Sequence, residues 1–186
     1  RGYRCCRCTT PSPVAGRYSW MDRLRRRQPL AINADARQLP LAADSVSLVW
    51  SNLMLHWLDD PMPALREMHR VLTVEGVTLF AMLGPDTLRE LALTGKDLGL
   101  GGPVVRPFPD MHDMGDMLVA AGFADPVMEM ETITFQYASP RAFLRDQRHL
   151  GVRDDLLPFA PGWRAWRQLL AAWQRRHAGR ASFEII

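Results

Sequence analysis

"SVSLVWSNLML", residues 45–55, decides the fold of this chain. After the acidic turn at Asp44, the stretch from Ser47 to Ser51 reads as an apolar strand, and Ser51 and Asn52 then interrupt an apolar run that resumes at Leu53. A polar pair inside a buried run costs desolvation unless something bonds to it. Either the protein satisfies Ser51 and Asn52, or a ligand does.

Downstream, Pro61 opens a helical pattern in which Leu65, Met68, Val71 and Leu72 share a face while Arg66, Glu67 and Arg70 fall elsewhere. "TVEG" (73–76) marks its end, and "VTLFAML" (77–83) is rich in strand formers. Upstream, "PLAINADARQLPL" (29–41) reads as a strand over Leu30 to Asn33 that enters a turn at Asp35. The order strand, strand, helix, strand predicts an α/β fold with a parallel sheet wrapped by helices. Further on, "PDTLRELA" (85–92) should start a helix with Asp86 near its beginning, and "GKDLGLGGP" (95–103) a surface loop. Asp110 can cap a helix with Asp113 in its first turn, Met114, Leu118 and Ala121 on its inner face, and Gly122 at its left-handed end. "FADPVMEMETITFQY" (123–137) reads as a strand near a sheet edge, since it carries Glu129 and Glu131. Ser139 and Pro140 supply a cap and first position for "RAFLRDQRHL" (141–150), which Gly151 should stop. A last helix, from Gly162 to about His177, carries Trp163, Trp166, Leu170 and Trp173 on one stripe, a pattern that packs against the body of a domain.

Composition bounds the partners. The chain has 186 residues, 47% hydrophobic and 23% charged, enough apolar material for one globular core. No apolar run approaches the length needed to cross a bilayer, so no membrane association is expected. A net charge of +3 is weak support for an anionic partner, although arginines gather in "RLRRR" (23–27), within a short basic helix expected over Met21 to Gln28, and between Arg164 and Arg180. These clusters read as solvated helix faces, with nucleic acid or an acidic protein as the alternative. All three cysteines stand in "CCRC" (Cys5, Cys6, Cys8), a spacing poorly suited to a four-ligand zinc site, and no metal is expected. Residues 1–20 fit no periodic template, lack the apolar core of a signal peptide and leave a cytoplasmic location as the expectation.

Open parallel sheets bind ligands beyond the carboxyl ends of their strands. Asp35 follows one strand and Ser51 and Asn52 the next. A carboxylate there can accept the exocyclic amine of an adenine, the Ala36 N–H can donate to a ring nitrogen, and small residues after the next strand leave room for a flat cofactor. The alternative is that Asp35 closes a turn and Asn52 bonds backbone.

"ADARQLPLAADSVSLVWSNLMLHWLDDPMPALREMHRVLTVEGVTLFAMLGPDTLREL" (34–91) resembles the central part of class I methyltransferases that use S-adenosylmethionine, specifically the malonyl-acyl carrier protein O-methyltransferases of biotin synthesis. "RPFPDMHDMGDMLVAAGFADPVMEMETITFQY" (106–137) strengthens the likeness through "PDMHDMGD" and "AGFADPV", and "FEII" (183–186) looks like the start of that family's last strand. The resemblance implies a Rossmann-like sheet of seven strands, S-adenosylmethionine as methyl donor held by Asp35, Ala36, Ser51 and Asn52, and a malonyl group presented on carrier protein or coenzyme A to a monomer. It also implies a domain spanning 21–186, with 139–178 as a helical insertion on the substrate side, where Arg145 and Arg148 would anchor the substrate carboxylate. His56 reads as packed rather than as a base, because an ionised carboxylate needs none. Two features depart from the family. No D-x-G-x-G-x-G loop is visible, the glycines before Gly76 being Gly2 and Gly16, which leads us to expect a sheet incomplete at the N-terminus and weakened cofactor binding; and Ser47 stands where the family carries an acidic residue. The alternatives are a non-catalytic fragment or carrier-docking module, and a sister branch that acts in respiratory complex assembly.

Overall fold

Val46, Leu48 and Trp50 alternate with Ser47, Val49 and Ser51, and in the computed structural model this stretch forms strand β1 (Val46–Asn52). The structure describes residues 32–149, 156–157 and 162–186. Helix α1 (Met62–Val71) follows, its first turn held by the Met62 N–H donating to Asp60 Oδ1 at 2.9 Å. Strand β2 (Leu72–Ala81) then lies parallel to β1, with Leu48 opposite Val77 and Asn52 opposite Ala81. The expected order of strand, helix and parallel strand is present.

"TVEG", which follows the end of the helix as expected, forms a bulge inside β2. Val46 already pairs with Leu72, and the register then shifts so that residues 73–76 are accommodated before Val77 meets Leu48. Glu75 takes φ 68°, and a Cβ on Gly76 would stand 2.8 Å from the Thr73 carbonyl oxygen, so only glycine fits there.

Beyond β2, helix α2 (Arg89–Asp97) starts later than the pattern predicted, because Leu88 adopts the left-handed conformation at φ 55° and its N–H donates to the Ser182 carbonyl. It also ends later. Gly95 and Lys96, expected in a loop, are helical, and a Cβ on Gly95 would press on the Val104 side chain. Helix α3 (Met111–Ala121) matches its sequence signals: Asp110 Oδ1 accepts from the Asp113 N–H at 2.8 Å, Met114, Leu118 and Ala121 are buried, and Gly122 ends it at φ 104°.

Strand β3 is shorter than expected, Glu131–Gln136, and wholly exposed, which suits an edge. Helix α4 (Pro140–His149) has the Ser139 hydroxyl accepting from the Ala142 N–H, and helix α5 (Trp163–His177) follows. On α5 the aromatic stripe is graded: Trp173 is buried and donates from Nε1 to the Arg180 carbonyl, whereas Trp163 is 70% exposed. Strand β4 (Arg180–Ile185) pairs antiparallel with β3. Met82 and Ile186 exchange backbone hydrogen bonds, and the Gly84 N–H donates to the Glu184 carbonyl. The described strands therefore form two pairs, β1 with β2 and β3 with β4, joined where the segment directly after β2 bridges antiparallel to the end of β4.

Two apolar clusters fill the interior. Val49 and Phe80 join Leu65, Met68, Met82 and Leu118 between the sheet and helices α1 and α3. Leu91, Phe143, Leu156, Leu169 and Trp173 form the other, between α2, α4 and α5. The opposite face of β1 and β2 presents Leu48, Trp50, Val77 and Leu79 to solvent, Trp50 at 76%. Ile32 to Ala34 take no strand pairing, which corrects the strand expected over Leu30 to Asn33 within the described residues: the chain ladders only through the Asp35–Gln38 bridge. Leu30, the cysteine cluster, the basic run at 23–27 and the stop at Gly151 lie outside the described residues.

Candidate cofactor site

Asp35 stands in a tight turn closed by the Gln38 N–H donating to its carbonyl at 3.0 Å. Its carboxylate accepts from the Arg37 N–H at 2.9 Å and from the Arg37 guanidinium, with Nη2 to Oδ2 at 2.7 Å. Those Arg37 bonds hold the carboxyl down at about 2, so Asp35 is ionised throughout the neutral range. The turn is fastened to α1. Glu67 accepts from the Leu39 N–H at 2.8 Å, while Arg70 bonds Glu67 and donates to the carbonyls of Leu39 and Leu41. Ala36 packs against the same apolar cluster as Val49 and Met54, which brings the Asp35 turn and the loop after β1 onto one support.

At the carboxyl end of β1, Ser51 is buried and its Oγ has no hydrogen-bond partner, while Asn52 is exposed. Leu53 then turns the chain at φ 50°, with its N–H donating to the Ala81 carbonyl at 2.8 Å. A bulky residue in this conformation is strained by about 1–2 kcal/mol. The sharp turn leaves Ser51 and Asn52 at the strand's end instead of carrying them along the sheet. The Ser51 hydroxyl is thus buried without a protein partner at the carboxyl end of β1, the end at which open sheets take ligands.

His56 lies in the short 3-10 turn that follows, Leu55–Trp57, and is 3% exposed. Its Nδ1 accepts from the Leu83 N–H at 3.1 Å, tying the ends of β1 and β2 together. Burial, with a smaller contribution from the Arg106 charge, lowers its pKa to about 4, so the ring is neutral, in keeping with the packed reading. Trp57 and Phe108 flank it, with ring centroids at 4.5 and 5.3 Å.

Of the expected site residues, Ala36 borders the core cluster that Val49 and Met54 also join, and Ser51 and Asn52 end β1, whereas Arg145 and Arg148 belong to neither place. Both arginines are exposed on α4, whose inward side carries Phe143 and Gln147. Three groups escaped the sequence reading. Arg106 sits in the "RPFPDMHD" motif but drew no attention, and the carboxylates of Glu90 and Glu184 are buried, accepting from Ser182 and from the Asp86 N–H. Gly84 makes room for the last, since a Cβ there would stand 2.6 Å from the Glu184 carboxylate. An open groove of about 800 Å³ runs along β2 from its amino end, lined by Asp44, Thr73, Gly76 and Val127, away from these residues. Among the described residues no cluster of side chains suits a metal ion, and no helix is long and apolar enough to cross a membrane.

This geometry places the chain in a class. A family described as "Methyltransferase domain" matches residues 4–80, and the fold aligns with the YcgJ protein from Bacillus subtilis at a TM-score of 0.52, covering 82% of this chain and 66% of that one at 16% identity. A putative methyltransferase from Bacillus halodurans aligns equally well, at a TM-score of 0.52 and 16% identity over 89% of this chain and 73% of its own. The fold is that of the class I S-adenosylmethionine methyltransferases. More particularly, the chain is similar to the malonyl-[acyl-carrier protein] O-methyltransferases: it is 46% identical to that of Laribacter hongkongensis over 175 residues and 41% identical to that of Gallionella capsiferriformans over 177. These alignments cover 88% and 91% of this chain but 58% and 61% of the relatives, so the chain spans about three-fifths of their length.

Proposed function

We propose that this protein transfers a methyl group from S-adenosylmethionine to the free carboxylate of a malonyl group on acyl carrier protein, an early step of biotin synthesis. The observation that carries the reading is the unsatisfied Ser51 hydroxyl at the carboxyl end of β1, on the same support as the Asp35 turn. These residues fit the methyl donor. Asp35 and Ala36 would meet its adenine, and Ser51 and Asn52 its methionine end, with Arg37 sharing or ceding the Asp35 carboxylate. When bound, S-adenosylmethionine supplies a methyl group activated on a sulfonium.

A malonyl carboxylate is ionised at neutral pH, so the protein need not remove a proton. Its task is to orient the carboxylate, exclude water and supply complementary charge. The neutral His56, buried between Trp57 and Phe108, is suited to exclusion and not to base catalysis. Residues 139–178 form the substrate-side element in this reading, supported by the packing of α4 and α5 through Phe143 and Trp173. Arg145 and Arg148 stay available there as anchors. The exposed Arg164, Arg167 and Arg175 on α5 favour carrier protein over coenzyme A as the presenting group, because a carrier is acidic over a broad surface. The protein is expected to act as a cytoplasmic monomer.

Calorimetric titration with S-adenosylhomocysteine tests the cofactor half of this reading. Binding by the chain, weakened at least about tenfold (about 1.4 kcal/mol) in Asp35→Ala, is the expected result. A folded protein that binds equally with and without Asp35 would remove it from the site.

A further inference from the structure

His56 holds one polar atom in reserve. Because Nδ1 accepts the Leu83 N–H at 3.1 Å, the proton of the neutral ring sits on Nε2, and that atom is buried with no partner. An N–H donor in such a place is unstable unless an acceptor comes to it. Nearby, Arg106 is anchored by its backbone N–H to the Leu156 carbonyl at 2.9 Å, and its side chain is only 22% exposed. Its guanidinium makes a single hydrogen bond among the described residues, Nη2 to Asp59 Oδ1 at 3.1 Å, which leaves the rest of the fork open. The Arg106 charge also bears on the His56 ring, where it adds to the effect of burial. Trp57 and Phe108 stand edge to face at 6.2 Å beside the ring, so the surroundings of the donor are dry.

We propose that the His56 Nε2–H and the Arg106 guanidinium form a carboxylate-binding site beyond the carboxyl ends of β1 and β2. The inference rests on the methyl-transfer reading and deepens it. Arginine supplies charge and a planar fork, and the neutral imidazole adds a directed donor without competing for the proton. Two carboxylates could occupy the site, that of the malonyl substrate or that of the methionine end of the cofactor. Both are the same chemistry to these donors. Relative to Arg145 and Arg148, Arg106 is the better shielded cation and lies beside the strand ends.

The test uses malonate and S-adenosylhomocysteine as separate probes, titrated into the full chain and into Arg106→Gln, Arg106→Lys and His56→Phe variants. Arg106→Gln should weaken one probe at least about tenfold while the thermal transition is unchanged, with Arg106→Lys recovering part of the loss. Loss confined to malonate assigns the site to the substrate, and loss confined to S-adenosylhomocysteine assigns it to the cofactor. Should His56→Phe fail to fold, the wild-type ring still reports: its Nε2–H proton resonance should move downfield as the recognised probe saturates. The proposal is overturned if every variant binds both probes as tightly as the wild type, or if the wild type binds neither. Unchanged KM and kcat for malonyl carrier protein and unchanged S-adenosylhomocysteine affinity in Arg106→Gln would remove this site and leave methyl transfer standing. A wild type that binds malonate through His56 and Arg106 yet transfers no methyl group would remove the methyl-transfer reading and leave the site.

Discussion

Arg37 encloses the Asp35 carboxylate and lowers its pKa to about 2, and that pairing was invisible in the sequence although the two residues are neighbours but one. The turn itself was legible, since Asp and the residues after it favour one. His56 carries the clearest pH signature. Its folded pKa of about 4 lies below the ordinary 6.5, so between these values the unfolded chain binds a proton that the folded chain refuses. Stability attributable to His56 is complete above pH 6.5 and is lost as pH falls towards 4, by on the order of 2–3 kcal/mol. Urea unfolding at pH 7 and pH 4.5 should show this fall in the wild type and a smaller one in His56→Phe; equal falls would place the titration elsewhere.

Among the elements, α3 was readable from end to end because its signals are local: an Asp cap, an apolar face and a terminal glycine. The boundaries of α2 were not, since a residue distant in sequence decides them. Gly95 reads as a helix breaker until Val104 is seen against it, and Leu88 turns left-handed to meet Ser182. Replacing Gly95 by Ala should therefore destabilise the fold by about 1–3 kcal/mol through overpacking, despite the better helix propensity of alanine. In a Val104→Ala background the same change should turn neutral or stabilising, which a double-mutant cycle by chemical denaturation measures. The two faces of β1 and β2 differ as sharply. Trp50→Ser, on the exposed face, should shift stability by no more than about 0.5 kcal/mol, whereas Trp173→Ala in the helical cluster should cost about 3–5 kcal/mol. A large loss from Trp50→Ser would show that something covers that face in solution.

For the molecule as a whole, the parallel pairing of β1 and β2 followed from the alternation of strands and helices, and four strands in two pairs, β1 with β2 and β3 with β4, occupy the described residues. The antiparallel pairing of β4 with β3, and of its end with the segment after β2, was not legible in "FEII", because nothing local in a strand names its partner. Glu90 and Glu184 misled for a related reason: a carboxylate reads as a surface residue until the backbone groups that bond it are placed. The site followed a similar division. Ser51 announced itself by interrupting an apolar run, while Arg106 gained meaning only once its place near His56 was known. Methyl transfer is the claim on which these observations converge, and the direct measurement is the incubation of this chain with malonyl-acyl carrier protein and methyl-labelled S-adenosylmethionine, beside acetyl-acyl carrier protein, which has no free carboxylate. Label is expected on the malonyl carrier as a base-labile methyl ester and none on the acetyl carrier; a folded chain that labels neither, or both alike, would overturn methyl transfer to the malonyl carboxylate.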